Sequence, residues 1–156
     1  MDFEFKHFIT RQDRIYDRAL RELKDGEKIS CWMWFIFPQL RALGRSRKAQ
    51  VFGISGPDEA ERYLSHPKLG SRLIECCKAL LLNGDKTAEE ILGETDARKL
   101  HASMTLFAQV SEENSIFHEI IDRFFGGSPD FRTVILVKWS CRYGDVNKLI
   151  GREVRL

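Results

Sequence analysis

Apolar side chains recur every three or four residues along most of the chain, which is the spacing of one face of an α-helix. In the first such segment the apolar positions are Ile15, Tyr16, Ala19, Leu20 and Leu23. Thr10 and Asp13 form a capping arrangement ahead of them, and Gly26 supplies a stop. The pattern predicts a helix that ends near Gly26.

Two prolines mark further helix starts, because proline is well tolerated in a first helical turn. We predict a short helix from Pro57 to about Ser65 and a longer one from Pro67 to Asn83. His66 lies between them and is expected to act as a cap or to bond the backbone. The longer helix carries a core-facing stripe: Leu69, Leu73, Cys76, Cys77, Leu80 and Leu81.

In the second half of the chain a polar residue precedes each apolar stretch. Thr87 and Glu90 form a capping box for a short turn. Either Thr95 or Asp96 is predicted to cap the next helix, and Asn114 the one after it. These signals add three helical units to the predicted fold.

The segment from Thr133 to Val137 is rich in β-branched residues, but a single strand would have no partner. We therefore predict a terminal buried helix at this position. With 156 residues, of which 43% are apolar and 31% charged, the chain has the size and composition of one folded domain. The predicted fold is all-α: a compact single-domain multihelical bundle over residues 1–156, with a buried aromatic segment.

That aromatic segment runs from Cys31 to Gln39 and contains two tryptophans and two phenylalanines. Each large aromatic side chain buries roughly 150–250 Å², so the segment should lie in the core or form the wall of a pocket. Polar groups that could orient a ligand follow at once, namely Gln39, Arg45 and Ser46. In the simpler interpretation the aromatic side chains only fill the core.

Our leading hypothesis is an aromatic-walled pocket for a small anionic or nucleotide-like ligand. A guanidinium such as that of Arg45 suits a phosphate or carboxylate, and a tryptophan suits stacking on a planar ring. The candidate ligand-binding residues are Trp32, Trp34, Gln39, Arg45, Ser46 and Lys99. The alternative hypothesis is a non-enzymatic protein-interaction or structural domain.

No enzyme class follows from the sequence, although one helix carries candidate catalytic groups. Asp96, Lys99 and Ser103 share a helix face, with Asp96 the better acid or base and Ser103 a secondary candidate. A surface Asp–Lys pair explains two of these residues without any function. The chain has no glycine-rich phosphate loop, nucleophile elbow or paired metal-binding histidines, which disfavours an NTPase, an α/β-hydrolase and a zinc hydrolase.

The formal charge of +2 disfavours a general attraction to nucleic acid or to membranes, although it leaves room for a local basic patch. The four cysteines include no C-x-x-C pair, and we expect all four to be reduced. The first residues lack the apolar stretch of a signal peptide, and no apolar run is long enough to span a bilayer. We expect a cytoplasmic protein without a metal or cofactor.

Several motifs of this chain together resemble the DUF1810 family of uncharacterised proteins. The motifs are Trp32–Gln39, Leu43–Ser46, Tyr63–Leu73, Asp96, Lys99 and Ser103–Phe107. The shared pattern runs from about residue 8 to residue 132, and the segment 133–156 diverges from it. The resemblance implies a small, mainly helical fold and no established reaction.

The same resemblance shows where this chain departs from the family. Members usually carry a histidine just before the first tryptophan, whereas this chain has Cys31, which cannot replace the acid–base chemistry of a histidine. Members are sometimes labelled calpastatin, a disordered protease inhibitor. An apolar chain with many helix caps has the composition of a folded domain, so we set that label aside.

Overall fold

The computed structural model describes residues 3–144, which fold into nine α-helices and one 3₁₀ turn at Arg41–Leu43. The helices are α1 (Lys6–Asp25), α2 (Met33–Ile36), α3 (Arg47–Phe52), α4 (Pro57–Ser65), α5 (Pro67–Leu81), α6 (Ala88–Leu92), α7 (Glu94–Gln109), α8 (Ile116–Phe125) and α9 (Phe131–Tyr143). No strand occurs within these residues, although Leu40 and Ile54 form one isolated parallel bridge. The prediction of an all-α single domain with a buried aromatic segment is confirmed.

Several helix boundaries agree with the local sequence signals. Helices α4 and α5 begin at Pro57 and Pro67, as predicted. The Nδ1 atom of His66 accepts hydrogen bonds from the N–H groups of Lys68 and Leu69, at 3.1 and 3.2 Å, so the predicted capping role of His66 is confirmed. Gly26 ends α1 in the left-handed conformation.

Three predicted caps are wrong. Helix α1 begins at Lys6, so Thr10 lies inside it. Gly93 rather than Thr95 or Asp96 precedes α7. The hydroxyl of Ser115 caps α8, because Asn114 adopts a left-handed turn conformation one residue earlier. Adjacent polar residues offer equivalent caps in the sequence, and packing of the connection decides between them.

The segment predicted as a terminal helix is helical, but it is only partly buried. Thr133 and Val137 face the core of the bundle, whereas the side chain of Ile135 is 50% exposed. Helix α9 packs against α7 on one side, so its other face remains open to solvent. Residues 145–156 of the divergent segment lie outside the described residues.

Helix α7 is at the centre of the bundle and packs against α4, α6, α8 and α9, while α5 packs against α1, α4 and α8. The largest fully buried side chains include Trp32, Tyr63, Phe8, Phe37, Phe107 and Phe117. Cys76 and Cys77 are buried on α5, Cys31 and Cys141 are exposed, and all four are free thiols. Across residues 3–144, every helix is too short or too polar to cross a bilayer.

Candidate functional site

Two buried polar side chains of α1 position the aromatic segment. The carboxylate of Glu22 accepts hydrogen bonds from the N–H groups of Ile29 and Ser30, at 2.7 and 2.8 Å, and from the Trp32 indole at 2.9 Å. The Gln12 amide donates to the carbonyl of Phe35 at 2.6 Å. Trp32 is fully buried with its N–H satisfied, so it offers no surface to a ligand.

The hydrogen bonds to Glu22 also set its charge. Burial alone raises the pKa of this carboxyl. The backbone N–H groups of Ser30 and Ile29, with the Ser30 hydroxyl and the Trp32 indole, outweigh burial and lower the pKa to about 2. Glu22 is therefore ionised at neutral pH and holds the start of the aromatic segment in place.

Three of the predicted ligand-binding residues lie together. Trp34, Gln39 and Lys99 line one cavity beside Phe37 and Gly53. The ammonium groups of Lys99 and Lys48 lie 4.3 and 4.7 Å from the centre of the Trp34 ring. The cavity has a volume of about 10 Å³, which is room for no more than one water molecule. A nucleotide-sized ligand does not fit there in this conformation.

The catalytic candidates on α7 lie apart from each other. The carboxylate of Asp96 forms ion pairs with Lys28 at 2.8 Å and with Lys99 at 3.4 Å. Ser103 is fully buried two turns further along, about 10 Å away at 1.5 Å of rise per residue, and its hydroxyl has no hydrogen-bond partner among the described residues. The two groups are too distant to act as a nucleophile and its base.

The loop after the aromatic segment presents α3 toward α1. It is closed at its base by hydrogen bonds between Arg41 and Ile54, at 2.8 Å, and between Ile54 and Gln39, at 2.9 Å. The Ser46 hydroxyl caps α3 by accepting from the N–H of Ala49 at 3.1 Å. Ser46 therefore shapes this loop, while Arg45 is exposed beside it and, like Ser46, is not part of the Trp34 cavity.

A much larger groove, of about 930 Å³, lies between α1 and α3. Its lining residues are Lys6, His7, Thr10, Arg11 and Arg14 from α1 and Arg47, Lys48, Val51 and Phe52 from α3. The ring of His7 stacks on Phe52, with 5.7 Å between ring centres, and this pair links the two helices. The groove is thus an apolar floor surrounded by basic groups.

A smaller cavity of about 170 Å³ adjoins this groove and shares Arg11, Arg14 and Lys48 with it. Cys31 and Phe35 also line the smaller cavity. Cys31 occupies the position at which the family resemblance implies a histidine. That position therefore lies beside the basic groove.

The charge of the groove is not neutralised by the protein. The basic side chains in its lining are Lys6, Arg11, Arg14, Arg47 and Lys48, and no carboxylate lines it. None of these five groups forms an ion pair within residues 3–144. Burial lowers the pKa of His7 below its ordinary value of 6.5, so His7 contributes an uncharged ring at neutral pH.

Sequence reasoning missed this groove, although two signals for it are present. Lys6, Arg11 and Arg14 fall on the polar side of α1, and Arg45 to Lys48 place three cations in four residues. No helix was predicted at Arg47–Phe52, because α3 is only six residues long and lies between Gly44 and Gly53. Without α3, no pattern in the sequence pairs the two basic segments.

The fold and the groove define a small all-α protein with one strongly basic face. Residues 2–137 match the family described as Protein of unknown function (DUF1810), and the chain belongs to this family. The conserved hypothetical protein Rv1873 from Mycobacterium tuberculosis, solved by crystallography, is 42% identical and superposes with a TM-score of 0.85. The match covers 88% of this chain and 99% of that one. No curated protein matches the chain.

Proposed function

We propose that this protein binds a small anionic or nucleotide-like ligand in the groove between α1 and α3. The observation that carries the proposal is the convergence of five cations on one cavity whose lining contains no carboxylate. Its volume of about 930 Å³ falls within the roughly 300–1,000 Å³ typical of small-molecule sites. A phosphate-bearing ligand of nucleotide size matches both the volume and the charge.

The charge distribution favours a binding role over a simply solvated surface. Like charges that converge on one cavity repel one another and destabilise the folded chain. Several cations outside the groove are paired with carboxylates, such as Arg72 with Asp13 at 2.8 Å and Lys28 with Asp96 at 2.8 Å. A bound anion would offset the repulsion in the groove, and guanidinium groups suit phosphate because they donate two hydrogen bonds at once.

The rings near the groove provide the planar surface that a nucleotide-like ligand needs. His7 presents an uncharged ring supported by Phe52. Lys48 lies between the groove and the exposed part of Trp34, whose ring centre is 4.7 Å from its ammonium group. We therefore propose Lys48 as the group that connects the predicted aromatic residues to the anion site.

A non-enzymatic interaction domain remains the second candidate, and one observation favours it. Four large apolar side chains on α9 are exposed at intervals of four residues: Phe131 by 69%, Ile135 by 50%, Trp139 by 43% and Tyr143 by 61%. Such a stripe is a common feature of protein-binding surfaces. A protein that binds none of the small anions tested below would favour this second function.

Removal of two groove cations tests the first proposal. Ligand binding to the native state raises the midpoint of thermal unfolding, so we expect at least one of uridine monophosphate, adenosine monophosphate, ADP-ribose and a sugar phosphate to raise it. The double variant Arg14→Gln/Lys48→Gln should bind that ligand at least about a hundredfold more weakly, because each charge-assisted hydrogen bond contributes roughly 1.5–3 kcal/mol. Its stability without ligand should be equal or slightly higher.

The matched control is Lys78→Gln/Arg98→Gln, which removes two exposed positive charges from α5 and α7. It should bind the same ligand within about twofold of the parent, because neither residue lines the groove. An unchanged midpoint with all four ligands would refute the proposal. Equal losses of affinity in the two double variants would refute it as well, since net charge alone would then explain binding.

Arg45 tests how far the site extends toward the loop. The side chain is exposed beside the two groove cations of α3, and we retain it as a ligand contact. Arg45→Ala should change the free energy of unfolding by less than about 0.5 kcal/mol, as is usual for a surface site. It should also weaken binding of the ligand found above, measured by calorimetry. Affinity equal to that of the parent would place Arg45 outside the site.

A further inference from the structure

The basic face of the protein continues beyond the groove along α1. Arg11, Arg14, Arg18 and Arg21 follow one another at intervals of three, four and three residues, so they form one stripe on the helix. All four are exposed. The stripe is about 15 Å long at 1.5 Å of rise per residue. Its first half lines the groove, and its second half lies outside it.

The fold does not account for these arginines. The buried face of α1 is formed by other residues, namely Phe8, Gln12, Ala19, Glu22 and Leu23. None of the four arginines forms an ion pair with a carboxylate in residues 3–144. Two acidic residues of the same helix are engaged elsewhere, Asp13 with Arg72 and Glu22 with the segment before α2. Asp17 flanks the stripe, which keeps a net positive charge.

We propose that the ligand is a single-stranded nucleic acid, with one nucleotide in the groove and the following phosphates along Arg14, Arg18 and Arg21. This inference rests on the proposed function, because it assigns the groove to the nucleotide. A line of unpaired cations that leads out of an anion site fits a chain of phosphates better than one isolated phosphate. The overall charge of +2 does not oppose it, since the cations are gathered on one face.

The rings at the groove favour a single strand over a duplex. A base can stack on His7, or reach toward Trp34 beyond Lys48, only when it is unpaired. A membrane surface fits less well. The exposed face of α1 alternates arginine with Thr10, Asp17 and Lys24 and carries no large exposed apolar side chain between residues 6 and 25. Helices that bind a bilayer surface insert such side chains.

The test compares uridine monophosphate with an oligouridylate of eight nucleotides by calorimetry at several salt concentrations. We expect the oligomer to bind at least about tenfold more tightly, because additional phosphates contact the stripe. Arg18→Gln/Arg21→Gln should lose that gain and keep the affinity for the monophosphate. Its slope of log affinity against log salt should be smaller by about 1.4, since each lost contact to a single strand removes about 0.7.

Each result separates this inference from the proposed function. If the monophosphate binds but the oligomer binds no more tightly, the proposed contacts between phosphates and the arginine stripe of α1 are wrong. The groove proposal then stands. If neither binds, the single-strand inference is wrong, and the groove proposal is decided by the other three ligands of the thermal-unfolding test. If Arg18→Gln/Arg21→Gln binds the oligomer as tightly as the parent does, the proposed phosphate contacts along α1 are also wrong. The same holds if an eight-base-pair duplex, or vesicles of anionic phospholipid, bind more tightly than the single strand. Lys78→Gln/Arg98→Gln again serves as the control and should retain the length-dependent gain.

Discussion

Replacing Glu22 by alanine is expected to lower the free energy of unfolding by about 3–5 kcal/mol. The carboxylate is only 7% exposed and accepts hydrogen bonds from Ile29, Ser30 and Trp32, so alanine would leave buried donors without partners. Glu22→Gln should recover part of this loss, because its amide oxygen still accepts a hydrogen bond. Chemical denaturation measures both effects.

The control for this prediction is Glu27→Ala, which removes an exposed carboxylate from the turn after α1. We expect a change of less than about 0.5 kcal/mol. Similar losses for the two alanine variants would contradict the assigned role of Glu22. In that case the hydrogen bonds seen around its carboxylate would contribute little net stability.

Stability should also depend on pH through the same carboxyl. Its pKa is lowered from an ordinary value of 4.5 to about 2 in the folded state. A carboxyl whose pKa is lowered by folding stabilises the native state above the unfolded pKa and loses that effect as the pH falls. The loss amounts to about 3 kcal/mol and occurs between pH 4.5 and about pH 2. Glu22→Gln should lose correspondingly less stability over this interval.

Glu22 also shows what the sequence does and does not reveal about the fold. The aromatic segment is recognisably core from its composition, because no surface could accommodate so many large rings. Glu22, the partner of this segment, is not recognisable in the same way. A glutamate in a helix with cations nearby is typical of an ordinary surface position. Only the turn after Gly26 brings the backbone of Ile29 and Ser30 back to that carboxylate.

The helix pattern could be predicted because its signals are local. Pro57 and Pro67 act within their own first turns, and the caps at Thr87 and His66 depend on residues two or three positions away. The errors in the predicted helices arose where a tertiary contact, rather than a local signal, determines the structure. Helix α3 lies in a loop closed by the bridge between Leu40 and Ile54, and no local signal predicts that bridge.

The candidate site illustrates the same limit. The sequence placed Trp34, Gln39 and Lys99 in one site, and these three residues do line one cavity. Its small volume of about 10 Å³ depends on how closely the lining residues pack, which composition does not reveal. The groove that now carries the functional proposal combines residues about 40 positions apart, and a pattern of cations on one helix does not show which element lies opposite.

Replacing Gly70 by alanine is expected to lower the free energy of unfolding by about 3 kcal/mol, a loss at the upper end of those measured for overpacked cores. Gly70 lies in the first turns of α5, where the chain has just turned from α4 at His66. A Cβ atom at this position would lie 1.9 Å from the carbonyl oxygen of Leu64. That oxygen belongs to the backbone of α4, so the two helices would have to separate around the buried ring of Tyr63.

The expected loss of stability is opposite in sign to the effect that helix propensity alone predicts for Gly70→Ala. Glycine inside a helix is intrinsically less favourable than alanine by roughly 0.5–1 kcal/mol, so helix propensity alone predicts that Gly70→Ala stabilises the protein. Gly84→Ala is the matched control, because Gly84 is exposed and a Cβ there would meet no atom within 4 Å. Chemical denaturation should show a large loss for Gly70→Ala and little change for Gly84→Ala. A Gly70→Ala variant as stable as the parent would mean that α4 and α5 separate at little cost, and that the corner at His66 does not fix their packing.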